Sequence, residues 1–329
     1  MKVREIRRHG HHERSAAVTA ASDAQEGQSQ DGHAQEGRAR VGRARETEFE
    51  PVYHHYGPHR AALPPLIPYF RELWRRRAFA AEMSRATMRG ANTSTFFGQA
   101  WLILNPLLLA AVYYILVTII RRENDPAFFA HLTLGIFAFQ LVGTSITSGA
   151  TSVTSSGKLL LNTPFPRLLI PLSAVRTAFF RFLPTVPVYF VFHAIFLTHV
   201  WSPKMLLSLY FLATMIVFAM GLAAFFAALQ VYFRDTSSFL PFFVRIWMYL
   251  SPILWAPEHV IGRFSGPIMT LIQLNPMYSM IGGYTELLQN DAFPTPYMWI
   301  SAAIWALVAA VIGFLYFISR EREFAVRLV

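Results

Sequence analysis

Residues 205–232 read MLLSLYFLATMIVFAMGLAAFFAALQVY, an apolar run that contains no charged side chain. A helix needs about 20 mostly apolar residues to cross the hydrocarbon core of a bilayer, so this stretch predicts a transmembrane helix. Five other stretches have the same character, namely 100–120, 132–156, 172–199, 239–256 and 297–318. The sequence therefore predicts an all-α integral membrane protein with six transmembrane helices.

The composition of the whole protein agrees with this class. Of its 329 residues, 54% are hydrophobic and 15% are charged, whereas an average soluble domain is roughly 25% charged. A soluble protein of this length cannot bury so much apolar surface, which argues against a cytoplasmic enzyme. Cysteine is absent, and this excludes disulfides, thiolate metal sites and a cysteine nucleophile.

Positive charge is distributed unequally between the loops. With the N-terminus inside, thirteen Lys and Arg residues fall on the cytoplasmic segments 60–99, 157–171, 233–238 and 319–329, and only four fall on external segments. Cytoplasmic loops of membrane proteins carry the excess of Lys and Arg. The sequence thus predicts a multi-pass protein of the cytoplasmic membrane with both termini in the cytoplasm.

Residues 1–62 differ from the rest of the protein. Seven of the 11 histidines lie in the first 60 residues, among Ala, Gly, Gln and Ser with few large apolar side chains. Such a segment cannot bury enough apolar surface to offset its ordering entropy, so we predict a disordered, His-rich cytoplasmic tail. Weak metal binding by the cluster His9, His11 and His12 is an alternative. A solvated tail is favoured, and no metal site is predicted.

Residues 63–99 are predicted to form an interfacial amphipathic helix and a gate segment. Within LIPYFRELWRRRAF (66–79), an apolar stripe of Leu66, Phe70, Leu73, Trp74 and Ala78 is flanked by four arginines. This pattern is too short and too charged to span, but it suits a helix in the lipid headgroup layer. A soluble helix docked on a partner is the alternative, and the two roles are compatible.

Two further segments do not form simple hairpins. Residues 157–171 are amphipathic and interrupted by prolines, which predicts a short cytoplasmic helix and turn, called here the coupling segment. Residues 257–290 are apolar but broken by Pro and Gly, which predicts external, re-entrant half-helices before the last span. Two complete spans are the alternative there. The six-span domain, with both segments included, occupies residues 100–329.

No catalytic motif is recognisable. TSSGKLL (154–160) resembles a phosphate-binding loop but lacks its earlier glycine, and Leu159 stands where Ser or Thr would ligate magnesium. No acidic residue lies in the middle of a predicted span, which argues against a proton relay. The protein is therefore predicted to be non-enzymatic, to bind no cofactor and to draw its energy from another polypeptide.

Two classes of residue stand out within the spans. Arg176, Arg181 and Arg245 lie in spans, where a charge normally faces a cavity, a partner or a lipid phosphate; snorkelling to the headgroups is the alternative. Aromatic residues are also dense, and their routine role is packing against lipid. The functional alternative is a sugar-contacting channel, for which the candidates are Trp101, Tyr113, Tyr114, Phe242, Phe243, Trp247, Tyr249 and Trp255.

Four stretches carry a resemblance to a known family. They are MRGANTSTFFGQAWLILNPLLLAAVYYILV (88–117), KLLLNTPFPRLLIPLSAVRTAFFRFL (158–183), VYFRDTSSFLPFFVRIWMYLSPILW (231–255) and LNPMYSMIGGYTELL (274–288). In this order and spacing they resemble the permease subunits of type-2 ABC exporters for polysaccharides, over roughly residues 66–329. Arg181 departs from the family pattern, because acidic residues are common at its position.

The resemblance implies a homodimer that pairs with two separate ATPase subunits, on which ATP and Mg²⁺ bind. It implies export of a polyprenyl-pyrophosphate-linked polysaccharide such as O-antigen, teichoic acid or cell-wall galactan, in contact with membrane lipid and without nucleic acid. Phe165, Pro166 and Arg167 would contact the ATPases. Arg85 and Arg89 would meet the lipid pyrophosphate near the inner gate. Arg181 and Arg245 are candidates for the same role because they are charged residues within the spans.

Two other functions fit parts of the pattern. A small-molecule or drug efflux permease would share the fold, although the dense aromatics argue against it. A membrane glycosyltransferase would need an acidic catalytic pair near one face of the bilayer, and Asp235 alone is insufficient.

Overall fold

The structure is a computed structural model that describes residues 64–90, 97–122, 125–157, 159, 165–197, 201–255 and 266–327. The predicted tail, residues 1–62, lies outside these ranges and stays a prediction. Every regular element in the described part of the protein is a helix, which confirms the all-α class. In sequence order these helices are α1 (Leu66–Arg75), α2 (Arg77–Gly90), α3 (Trp101–Arg121), α4 (Pro126–Ser155), α5 (Leu169–Phe182), α6 (Thr185–Phe196), α7 (Ser208–Tyr232), α8 (Thr236–Leu250), α9 (Pro267–Leu274), α10 (Pro276–Gln289), α11 (Pro296–Arg320) and α12 (Phe324–Arg327).

Five apolar stretches are long enough to cross a membrane. They are Gly98–Ile120, Pro126–Ser155, Leu169–Phe196, Pro203–Tyr232 and Pro296–Glu323. They correspond to five of the six predicted spans, so the multi-pass membrane character is confirmed. The count of six spans is not confirmed by these helices.

The predicted span 239–256 is occupied by the short helix α8. Its 15 residues extend only about 22 Å at 1.5 Å per residue, whereas the hydrocarbon core is about 30 Å thick. Pro252 explains why the helix stops, because a proline disfavours helical geometry in the residue before it. Ser251 is accordingly extended, with φ −92° and ψ 157°.

Between residues 266 and 290, the described part of the region after α8, the polypeptide forms two short helices. α9 has 8 residues, and α10 has 14 residues, most of them buried. Asn275 separates the two helices, and its side-chain Oδ1 accepts a hydrogen bond from the Met277 N–H at 3.1 Å. Their re-entrant placement in the outer half of a bilayer stays a prediction.

The helices α7 and α11 pack side by side and run parallel. Near their starts the Tyr210 hydroxyl donates to the Trp299 carbonyl oxygen at 2.7 Å, and near their ends the Tyr232 hydroxyl donates to Glu323. A parallel pair needs a connection that returns to the starting end of the bundle. The helix α8 begins that return directly after α7.

The core surrounds α4, the longest helix. Asp125 caps its start by accepting the Ala127 N–H at 2.9 Å, and Pro126 occupies the first position, where a missing N–H costs nothing. One face of α4 is buried along its length, including Leu132, Ile136 and Ile146. The opposite face is polar and forms part of the site described below.

One end of the bundle brings together the last described residues and the helix α1; we call it the C-terminal end. Leu66, Tyr69 and Leu73 of α1 pack there against a cluster that includes Phe317 and Phe324. The outward side of α1 exposes other apolar residues, with Ile67 77% and Trp74 70% exposed. The predicted apolar stripe is therefore divided between a face that packs on the protein and a face left open.

Candidate substrate groove

Two adjoining cavities lie along the polar face of α4. The arginine cavity, of about 500 Å³, is enclosed by residues of α3, α4, α5 and α6. The tyrosine cavity, of about 460 Å³, lies between α3, α4 and α8. Gln140 and Thr144 of α4 line both cavities, so the two lie next to each other on one face of α4, and we call the pair the groove.

A stripe of uncharged polar side chains on α4 lines this groove at Gln140, Thr144 and Thr147 and continues along the helix beyond it. Its members follow helical spacing, so they share one face; they are Gln140, Thr144, Thr147, Ser148 and Thr151. Thr147 donates to the Gly143 carbonyl at 2.9 Å, and Ser148 donates to Thr144. A hydroxyl that donates to its own helix still has lone pairs with which to accept a hydrogen bond.

The tyrosine cavity brings together three of the predicted site residues. The Tyr113 hydroxyl donates to the Tyr249 hydroxyl at 2.9 Å, and the two rings meet edge to face with centroids 6.0 Å apart. Arg245 lines the same cavity. This contact joins α3 to α8 and presents two rings, their hydroxyl groups and one cation toward the groove.

The arginine cavity brings together two more predicted residues, Trp101 and Arg181. Asn105 and Thr185 add an amide and a hydroxyl group to its lining. Acidic residues are absent from the lining of both cavities in the described part of the protein. The charged groups of the groove are thus two arginines, which favour an anionic ligand.

Four of the predicted channel aromatics lie outside the linings of both cavities. Trp247 is half-buried, and its Nε1–H donates to Asn275 Oδ1 at 2.8 Å. Phe243 is 41% exposed beside Trp247, and Phe242 is 68% exposed on the outer side of α8. Trp255 stacks on Tyr278 with ring centroids 6.4 Å apart.

Tyr114 and two of the predicted pyrophosphate ligands lie outside both cavities. Tyr114 packs edge to face on Phe129 with centroids 5.5 Å apart. Arg85 and Arg89 are exposed on α2, and Arg85 Nη1 lies 3.1 Å from Glu82 Oε2. The structure therefore divides the four predicted arginines into a pair in the groove, Arg181 and Arg245, and a pair on the surface.

The predicted coupling residues lie at the C-terminal end of the bundle. The Phe165 ring packs on Phe79 of α2 with centroids 4.7 Å apart, and Pro166 directly follows it. The Arg167 guanidinium donates to the Glu321 carbonyl oxygen. The Tyr69 hydroxyl donates to the Glu321 carboxylate at 2.7 Å, so one acidic residue joins α1 to the coupling segment.

We call Tyr69, Arg167 and Glu321 the clasp. Burial, followed by the nearby Glu321 carboxylate, raises the pKa of Tyr69 well above its usual range. The tyrosine therefore stays protonated and continues to donate to Glu321 at any physiological pH. Arg167 connects the coupling segment to Glu321 through its hydrogen bond. Phe165 and Pro166, which precede it, are half-buried.

The polar stripe was not recognised as a site from the sequence, although a signal was present. Polar residues at 140, 144, 147, 148 and 151 recur with the period of an α-helix inside an otherwise apolar span. Asn105 and Thr185 had no such signal, because they enter the groove only through the packing of separate helices. In the described residues, no group of three or more His, Asp or Glu side chains is arranged to hold a metal.

Comparison with known proteins supports the resemblance found in the sequence. No family profile matches the protein. The protein is 29% identical over 237 residues to an O-antigen export system permease protein, RfbA, of Klebsiella pneumoniae, an alignment that covers 70% of this chain and 88% of the relative. It is 26% identical over 264 residues to the protein of the same name from Myxococcus xanthus, covering 79% of this chain and 99% of the relative. Together with the apolar helical bundle, these relatives support the resemblance to permeases of polysaccharide exporters, and the protein is similar to O-antigen export permeases over most of its length.

Proposed function

We propose that this protein is the membrane subunit of an ATP-driven exporter that moves a polyprenyl-pyrophosphate-linked polysaccharide across the cytoplasmic membrane. The observation that carries the proposal is the groove of two adjoining cavities on α4, which combines aromatic rings, hydroxyl groups and two arginines. Rings and hydroxyl groups suit a sugar polymer that must slide, and arginine matches the geometry of phosphate oxygens. The relatives named for O-antigen export support a polymer of this class, with teichoic acid or galactan as other members.

In this proposal a second copy of the protein completes the conduit. The helices that border the groove, α3 and α8, expose apolar side chains that a single copy leaves uncovered; they include Leu108, Val112, Ile115, Ile119, Phe239, Phe242, Ile246 and Leu250. Two copies with these helices facing each other would enclose a channel lined by both grooves. The remaining apolar surface would contact lipid.

The proposed orientation places the C-terminal end of the bundle in the cytoplasm. The parallel packing of α7 and α11 supports six crossings, since α8 with the segment up to α10 must return the polypeptide once to the opposite end. Two ATPase subunits would dock on the coupling segment and α1, and would supply ATP and Mg²⁺ binding. Movements of the ATPases would reach the bundle through Phe165, Pro166 and Arg167.

Reconstitution tests this function directly. The full-length protein alone in proteoliposomes is expected to hydrolyse no ATP, whereas the protein with its ATPase partner is expected to move a labelled lipid-linked polysaccharide across the bilayer when ATP is added. The measurement is protection of the label from an external glycosidase. ATP hydrolysis by the permease alone, or transport of hydrophobic drugs in place of the polymer, would contradict the proposal.

The clasp gives a prediction about coupling to the ATPase. Tyr69→Phe removes a hydrogen bond to a carboxylate, an interaction with a net contribution of about 1.5–3 kcal/mol. Because this bond joins α1 to the coupling segment, we expect hydrogen exchange at the amides of α1 to accelerate at least about tenfold. ATP-dependent export is expected to fall with it, while the yield of folded protein is unchanged.

Tyr232→Phe is the matched control for the clasp. It also removes one tyrosine hydroxyl from a glutamate, Glu323, but this bond joins only α7 to the C-terminal segment. Export and the exchange rate in α1 are expected to stay near those of the unmodified protein. Equal effects of the two substitutions would mean that the clasp has no special role in coupling.

A further inference from the structure

Arg181 occupies an unusual depth in the bundle. It lies near the end of α5, about 18 Å along the helix axis from Leu169 at 1.5 Å per residue. This position is close to the midpoint of the apolar stretch Leu169–Phe196. A cation at mid-bilayer depth is costly unless it faces a cavity or a counter-charge, so its presence calls for a ligand or partner.

The structure provides Arg181 with a cavity but with no counter-charge. Its Nε is buried without a hydrogen-bond partner, and the described residues offer its guanidinium no ion pair. Arg176, on the same helix, also has a buried and unbonded Nε. Its guanidinium, however, lies 4.9 Å from the centroid of the Phe180 ring, which gives it an aromatic partner.

The lining of the arginine cavity suits an anion with several oxygen atoms. Asn105 and Gln140 carry amide groups that donate hydrogen bonds, and Thr144 adds a hydroxyl group. The Thr185 hydroxyl is used within the fold, because it donates to the Phe182 carbonyl oxygen at 2.6 Å. A guanidinium can bind two phosphate oxygens at once through its planar fork. The volume of about 500 Å³ lies within the usual range for ligand pockets of about 300–1,000 Å³.

We propose that the arginine cavity is a mid-membrane subsite for the phosphate group of a lipid, with Arg181 as its binding cation. The inference rests on the proposed function, because a lipid-linked polymer brings a phosphate group into a bilayer region where no water solvates it. A cation halfway along the path lowers the electrostatic cost of that position. The phosphate can come from the lipid carrier of the polymer or from a phospholipid of the bilayer.

Binding to the purified exporter in nanodiscs tests the subsite. The probes are a polyprenyl pyrophosphate, the neutral polyprenol of the same length and phosphatidylglycerol, each measured by native mass spectrometry. Arg181→Gln is expected to weaken binding of the pyrophosphate at least about tenfold, since it removes charge-assisted hydrogen bonds. Arg181→Lys keeps the charge but not the fork, so an intermediate affinity is expected.

Arg176→Gln is the matched control, because it removes an equally charged residue from the same helix without touching the cavity. Its affinity for the pyrophosphate is expected to stay within about twofold of that of the unmodified protein. Competition by phosphatidylglycerol would show that the site accepts bilayer phospholipid, and its failure to compete would assign the site to the lipid carrier. Both results support a lipid phosphate site.

Three results would overturn the inference. They are equal affinity of the polyprenol and its pyrophosphate, equal loss of binding in the Arg176 and Arg181 variants, and a lower unfolding temperature of Arg181→Gln without ligand, which would indicate a structural role. Export separates this inference from the proposed function. If Arg181→Gln exports the polymer normally and binds the pyrophosphate as tightly as the unmodified protein, only the subsite is refuted. If the unmodified exporter binds the lipid but exports no polymer, only the proposed function is refuted.

Discussion

Gly313→Val is expected to prevent assembly of the folded bundle. A Cβ atom on Gly313 would lie 1.9 Å from the backbone oxygen of Gly221, and one on Gly221 would lie 2.2 Å from that of Ala309. Both obstacles are backbone atoms, so no rotation of a side chain relieves the overlap. Helices in membranes associate through such close contacts between small residues, because lipid gives little hydrophobic driving force between them.

The expected cost of Gly313→Val is about 3 kcal/mol or more, at the upper end for an overpacked core. The measurement is the yield of monodisperse protein in detergent together with its unfolding temperature. Gly90→Val is the control, since a Cβ on Gly90 meets nothing within 4 Å among the described residues. A normal yield and unfolding temperature for Gly313→Val would show that α7 and α11 do not approach so closely.

The positions of the long helices follow from composition alone. The predicted spans 100–120, 205–232 and 297–318 agree closely with α3, α7 and α11, because an uncharged run of this length is stable in a bilayer only as a helix. The same reasoning fails where proline intervenes. It placed Pro171 in the coupling segment, whereas α5 begins at Leu169, and a proline in the first turn of a helix loses no hydrogen bond.

The positions at which helices end within apolar stretches could not be predicted from the sequence either. The stretch 172–199 looks continuous, but the structure divides it at Leu183 and Pro184 into α5 and α6. The stretch 239–256 looks long enough to span, but its helix ends before Pro252. Mean hydropathy records how apolar a segment is, while the backbone geometry next to a proline decides where a helix ends.

The sequence allowed us to predict which types of side chain form the site, but not which residues lie together in the groove. Arg181 and Arg245 stood out because a charged residue within a span is costly and calls for a cavity, partner or lipid phosphate, whereas Tyr249 was one of eight aromatic candidates whose routine role is packing against lipid. The grouping of Trp101 with Arg181, and of Tyr113 with Tyr249, depends on how far each helix is shifted along its neighbour. That shift is set by packing between α3, α4, α5 and α8, which no local pattern encodes.

Trp247→Ala and Tyr249→Ala are expected to fail in different ways, although the two residues are neighbours on α8. The Trp247 ring packs edge to face on Phe139 and Phe218, with centroids 6.0 and 5.9 Å away, and its Nε1–H binds Asn275. Removal of this side chain leaves a cavity and costs about 3 kcal/mol, the lower end for a buried Trp. We expect a reduced yield and unfolding temperature for Trp247→Ala, with export reduced in proportion to the protein that survives.

Tyr249 is 41% exposed and lines the tyrosine cavity. Its removal takes away a ring and a hydroxyl group from the groove and breaks only the bond to Tyr113. Tyr249→Ala is therefore expected to assemble normally, with the unfolding temperature nearly unchanged, but to reduce export of the polymer per assembled complex by about tenfold, the effect of losing about 1.4 kcal/mol of interaction.

Tyr249→Phe divides the contribution of the ring from that of the hydroxyl group. If the polymer slides over the ring, the phenylalanine variant is expected to retain most of the export that the alanine variant loses. If hydrogen bonding guides the polymer, both variants are expected to lose export equally. Export at the normal rate per assembled Tyr249→Ala complex would show that the polymer does not pass along this side of α4, and the conduit would then have to lie elsewhere in the bundle.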